Sequence, residues 1–208
     1  MPFAGVEWLF FDIGSTLVDE SRAYARRIRE TVAGSTVPCD QFYQSMLNFE
    51  RGGRPGYAAA VEAYHLARTP WPTEEECLYP DAELCLQELS HRFHLGIIAN
   101  QVAGTAARLE SMGIAPYFEL VLASAEEGVA KPDPEIFRRA LRRAGCAPER
   151  AVMIGDRLDN DIAPAKSLGM RTIRVQQGPS AQAKPQNDGE TPDAAASCLT
   201  ELLAILIE

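Results

Sequence analysis

Five short apolar runs constrain the fold most: Val6–Phe11, Leu95–Ala99, Leu120–Ala123, Ala151–Ile154 and Thr172–Val175. They are continuous rather than alternating, the pattern of strands covered on both faces. Helical patterns separate the later runs, over Asp81–Arg92, Thr105–Met112, Pro134–Ala144 and Asn160–Leu168. Asp133 before Pro134 reads as an N-cap with proline at the first helical position. Gly113, Gly145 and Gly169 each follow a helical pattern, where a left-handed residue closes the last turn. Strands and helices alternating through such short links specify right-handed crossovers. The expected fold is a three-layer, doubly wound α/β fold around a parallel sheet.

One stretch breaks that rhythm. From Asp19 to Pro80 the periodicity is helical (Glu20–Ala33, Gln41–Glu50, Tyr57–Ala67), with no clear strand. Loops rich in Gly and Pro divide it, at Arg51–Gly56 and Thr69–Pro72. At 208 residues the chain has room for one full domain and a modest insertion. The expected organisation is a discontinuous α/β core, residues 1–18 and 81–208, carrying an all-α insertion over 19–80. Gln176–Pro192 is polar and rich in Gly and Pro, and reads as a surface loop.

Charge narrows the partners. Lys and Arg total 20 against 29 Asp and Glu, a formal net charge of −9. Such a surface repels phosphate backbones and anionic lipid, which argues against nucleic-acid or membrane partners. It leaves room for a small anionic substrate in a local pocket. No apolar run reaches the roughly 18 residues of a membrane span, and Leu199–Ile207 is cut by Thr200 and Glu201. Met1–Phe11 lacks the basic segment and cleavage pattern of a signal peptide. The five cysteines are odd in number and never spaced C-x-x-C, so neither a disulfide framework nor a zinc site is expected. Free thiols in a reducing cytoplasm are the plain expectation.

In a parallel α/β sheet, functional residues gather beyond the carboxyl ends of the strands. Those ends bring Asp12, Asn100, Lys131, Asp156 and Asp161 toward one edge. Three carboxylates close together need neutralising, and a hard cation with oxygen ligands, Mg²⁺, does this. A lysine beside them holds a nucleophilic Asp ionised and meets an incoming anion. Together these residues describe metal-assisted attack by Asp on an electrophile, most simply a phosphoryl group.

Here the chain resembles the haloacid dehalogenase superfamily, mostly phosphatases acting through a phospho-aspartate. The resemblance rests on three motifs in the family's order. They are Asp12-x-x-x-Thr16-Leu17 after an apolar strand, Lys131-Pro132, and Gly155-Asp156 followed by Asp161. It implies that Asp12 is the nucleophile, Lys131 the charge-stabilising lysine and Asp156 a Mg²⁺ ligand. Asp12 and the Gly14 carbonyl would also contact the metal, and Asp161 its outer shell. The insertion corresponds to the family's helical cap, and Arg51, Gly52, Gly53 and Arg54 resemble a substrate-specificity loop. Two arginines on such a loop can clamp a phosphate.

Two positions depart from the family. Where it usually carries a second Asp, the proton donor to the leaving oxygen, this chain has Gly14. Where it usually carries a phosphate-binding Ser or Thr, the chain has Ala99, which leaves Asn100 to offer its backbone N–H and amide. The leading expectation is a Mg²⁺-dependent hydrolase of small phosphorylated metabolites, slow on poor leaving groups. If another group transfers the proton, Asp19 and Glu20 are the residues to examine. Two alternatives remain open at this stage: a metal-independent, dehalogenase-type hydrolase, and a non-catalytic member that binds a phospho-ligand or a protein.

Overall fold

The computed structural model describes residues 3–52 and 54–207. The apolar runs form β1 (Trp8–Phe11), β4 (His94–Ala99), β5 (Leu120–Ala123), β6 (Ala151–Gly155) and β7 (Arg171–Val175). A sixth strand, β8 (Ala194–Ala196), adds to the edge of β7. The sequence hid it because three alanines carry little strand preference. The sheet order is β5-β4-β1-β6-β7-β8 and every pairing is parallel.

Alternate residues along each strand face opposite layers. Leu9, Phe11, Leu95, Ile97, Val152 and Ile154 pack on one side against α4 (Ala82–Ser90), α5 (Thr105–Ser111) and α9 (Glu201–Ile207). Trp8, Phe10, Ile98 and Met153 pack on the other against α7 (Pro134–Ala144) and α8 (Ala163–Ser167). This explains the continuous apolar runs. At the start of α7 the Asp133 carboxylate accepts from the Glu135 N–H at 2.9 Å, and Gly145 closes the helix at φ 61°. No described helix is long and apolar enough to cross a membrane.

The insertion carries α1 (Ser21–Val32), α2 (Cys39–Arg51) and α3 (Gly56–Ala63), which bury Ile28, Phe42, Met46, Tyr57 and Val61 in a cluster of their own. The stretch is not free of strands. Val18–Asp19 (β2) pairs antiparallel with Cys77–Leu78 (β3) where the chain leaves and re-enters the core. Two residues per strand are too few to show a period of two, so the sequence could not reveal this ribbon.

Candidate active site

The register of β1 against β6 sets the site. Phe11 lies level with Ile154, so Asp12 and Asp156 emerge from neighbouring strand ends. The Asp12 N–H still donates to the Ile154 carbonyl at 2.9 Å. After Asp12 the chain turns tightly, with the Leu17 and Val18 N–H groups both donating to the Ile13 carbonyl, at 2.9 and 3.0 Å.

Lys131 arrives from the segment after α6 (Ser124–Glu127), and its side chain is 2% exposed. Its Nζ donates to Asp12 Oδ1 at 2.8 Å and to Asp161 Oδ1 at 2.6 Å. Burial works against the ammonium, but the two carboxylates outweigh it and hold the Lys131 pKa above its ordinary value. Asp161 rests on the α-carbon of Gly155, where any Cβ would come within 2.4 Å of the Asp161 Cγ. Only glycine fits there. The second Asp161 oxygen, Oδ2, accepts from the Arg157 N–H at 3.0 Å. Ligand atoms of Asp12, Asp156 and Asp161 lie within 4.8 Å of one another.

Asp156 is 4% exposed, and its carboxylate accepts no hydrogen bond from the described residues. Burial, then the charges of Asp161 and Asp12, push its pKa well up. A desolvated carboxylate with no donor is a costly group. Lining the cleft with no protein donor, and with two more carboxylates beside it, this carboxylate fits a hard divalent cation.

Asn100 also lines this cleft, but its amide is already engaged. Asn100 Oδ1 accepts from the Lys131 N–H at 2.7 Å, and Nδ2 donates to the Lys131 carbonyl at 2.8 Å. The amide fixes the lysine, so the backbone N–H is the part of Asn100 left for an anion. Arg51 and Arg54 stand outside the cleft. Arg51 donates to Asn48 Oδ1 at 2.7 Å and faces a smaller cavity beside Asp159. Arg54 lies over the Phe49 ring at 4.7 Å and pairs with Glu62 at 3.7 Å. Gly53 lies outside the described residues.

Arg157 and Arg174 carry no signal in the sequence. Arg157 bonds Glu50 of α2 at 2.8 Å and Asp159 at 2.6 and 2.9 Å, tying the insertion to the core. Arg174, inside β7 yet 3% exposed, donates to the Asp156 carbonyl at 3.1 Å and to the Ala183 carbonyl at 2.7 Å. It also donates to the Ser180 carbonyl. The polar loop expected on the surface is therefore pinned beside the site, and Pro179 and Ser180 line the cleft. Glu20 lines it too, and burial first of all pushes its carboxyl up to about 7. Asp19 instead accepts from the Ser21 N–H at 2.8 Å, capping the start of α1.

The haloacid dehalogenase-like hydrolase family model matches residues 6–169. The chain belongs to that family. It is 39% identical over 153 residues to a glyceraldehyde 3-phosphate phosphatase of Methanopyrus kandleri, a match covering 73% of this chain and 64% of the relative. It is 36% identical over 156 residues to a phosphoserine phosphatase of Thermus thermophilus, covering 74% and 59%. Each match thus spans less than two thirds of the relative's own length. A putative HAD-hydrolase from Bacillus subtilis, solved bound to magnesium, superposes at a TM-score of 0.73. That likeness, at 23% identity and covering 98% of this chain and 99% of the other, concerns the fold of this hydrolase.

Proposed function

We propose that this haloacid dehalogenase-like hydrolase is a Mg²⁺-dependent phosphatase of small phosphorylated metabolites. Asp12 is its nucleophile. The observation that carries this reading is the arrangement of Asp12, Lys131 and Asp156. One carboxylate accepts a hydrogen bond from a buried ammonium at 2.8 Å, and another beside it accepts none from the described residues. The phosphatase activities of the two relatives support the same reaction class.

Asp12, Asp156 and the Gly14 carbonyl would hold Mg²⁺, with Asp161 reaching it through water. When bound, the metal supplies charge neutralisation to the site and to the phosphoryl oxygens. Lys131 holds Asp12 in place through its Nζ bond and adds positive charge where the anion arrives. An Asp12 oxygen attacks phosphorus, the ester P–O bond breaks, and an aspartyl phosphate remains for water to cleave. The Asn100 backbone N–H would meet a phosphoryl oxygen. The insertion, residues 19–80, acts as a cap over the core. A cavity of about 610 Å³, lined by Tyr24, Ile28, Tyr43 and Tyr79, adjoins the cleft and is open to the organic part of a substrate. Five free thiols suit a reducing, cytoplasmic setting.

The unpartnered Asp156 argues against a metal-free dehalogenase, in which this buried charge would stay uncompensated. A screen of phosphomonoesters and haloacids with and without Mg²⁺ tests the reading. Turnover of phosphomonoesters only with Mg²⁺ is expected. Turnover of a haloacid without metal, or no turnover at all, would refute it.

A further inference from the structure

We propose that Glu20 is the proton donor and acceptor of the reaction, acting through the space that Gly14 leaves open. The proposal rests on the phosphatase reading above and adds the group that reading lacks. Cleavage of an alkyl ester requires a proton for the departing oxygen, and hydrolysis of the aspartyl phosphate requires a base for water.

The other acidic groups of the cleft are occupied. Asp12 attacks phosphorus. Both Asp161 oxygens accept hydrogen bonds, from Lys131 and from the Arg157 N–H. Both Glu50 oxygens do the same, from the Gly56 N–H and from Arg157. Asp156 lies at the metal position. With Asp12 assigned to attack and Asp156 to the metal, Glu20 is the remaining acid of the cleft with an oxygen, Oε1, that has no donor among the described residues, while Oε2 accepts from Ser15 Oγ at 2.9 Å.

Three features aim that free oxygen. A Cβ on Gly14 would lie 2.7 Å from Glu20 Oε1 and 3.0 Å from Oε2, so the carboxylate occupies the volume a side chain at position 14 would start from. Ser15, the donor that steadies it, adopts φ 54°, a left-handed conformation unusual for serine. Finally, Glu20 lines both the carboxylate cleft and the larger adjoining cavity. A substrate spanning the two would bring its ester oxygen to that junction.

In the first step the Glu20 carboxylic acid gives its proton to the ester oxygen as the P–O bond breaks, releasing a neutral alcohol. In the second, the Glu20 carboxylate takes a proton from water as the water oxygen bonds phosphorus and the P–O bond to Asp12 breaks. Inorganic phosphate leaves, and Glu20 is again an acid.

The test is Glu20→Gln, which keeps the size of the side chain and its bond to Ser15. With alkyl phosphates kcat is expected to fall by about 10²–10⁴. With an aryl phosphate, whose oxygen leaves unprotonated, phosphorylation should persist and acid-quenched phosphoenzyme should accumulate, because the second step has lost its base. A second variant guards against a merely structural loss: Gly14→Asp combined with Glu20→Ala returns a carboxylate to the same volume and should recover alkyl turnover. Equal slowing of alkyl and aryl substrates with no trapped phosphoenzyme, or unchanged kinetics, overturns the role of Glu20. Failure of the wild-type protein to turn over any phosphomonoester would instead strike the underlying phosphatase reading.

Discussion

Asn100 grips Lys131 by its backbone: the side-chain amide bonds the lysine N–H at 2.7 Å and its carbonyl at 2.8 Å. The end of β4 and the segment after α6 are thereby locked together, and the ammonium is delivered between Asp12 and Asp161. Removing the amide with Asn100→Ala leaves two backbone groups to find new partners, at about 1–3 kcal/mol. A lysine displaced by about 1 Å should lower kcat by about 10²-fold. Thermal melts and steady-state kinetics check both. Loss of stability with full activity would show that the clamp does not position the lysine.

Asp156 sets activity against stability. Its buried, unpartnered carboxylate destabilises the metal-free protein, so Asp156→Asn is expected to raise stability in EDTA by about 1–3 kcal/mol. Added Mg²⁺ should raise the melting temperature of the wild type, as a ligand of the native state does, and leave the variant unmoved. Equal Mg²⁺ shifts in both proteins would remove Asp156 from the metal site.

The Glu20 carboxyl, pushed up to about 7 chiefly by burial, predicts a pH dependence of stability. An unfolded glutamate titrates near 4.5, so between 4.5 and about 7 the native state holds a proton that the unfolded chain has released. Stability therefore falls as pH rises through that window. Glu20→Gln cannot ionise and should escape the fall, gaining up to about 3 kcal/mol over wild type at alkaline pH and nothing in acid. Denaturant titrations of the metal-free proteins measure it. Parallel pH profiles would contradict a buried Glu20.

The pairs of Arg157 with Glu50 and of Arg108 with Glu76 tie the insertion to the core, while Arg51 and Arg54 of the insertion are held by its own residues. Arg157→Ala cuts the tie to Glu50 and is expected to raise KM several-fold by loosening that contact, while Arg51→Ala combined with Arg54→Ala should leave kcat/KM nearly unchanged. The reverse result would return the arginine loop to the substrate.

The legible part of this molecule was whatever a local pattern encodes. Continuous apolar runs announced a buried sheet, Asp133-Pro134 marked the start of α7, and Gly155 followed by Asp156 and Asp161 marked one strand end. The parts that escaped depend on a side chain crossing between elements. Glu20 could be named from its place just beyond the first motif, but its approach to Gly14 shows only once the chain turns back at Ser15. Arg157 reads as a spacer within its motif. Arg174 carries no readable role inside its apolar run, and only the fold shows it buried beneath the loop it pins. Arg51 and Arg54 had the chemistry of an anion clamp, but local partners, Asn48, Phe49 and Glu62, hold them elsewhere.

The central claim is that Asp12 becomes phosphorylated, and rapid-quench mass analysis tests it most directly. After mixing the protein with an aryl phosphate and Mg²⁺ and quenching in acid, one added phosphoryl group should map to the peptide bearing Asp12. It should be absent when Mg²⁺ is chelated and in Asp12→Asn, which should also lose turnover because an amide cannot form the acyl phosphate. Turnover retained in Asp12→Asn, or a phosphoryl group found on another residue, would contradict the account.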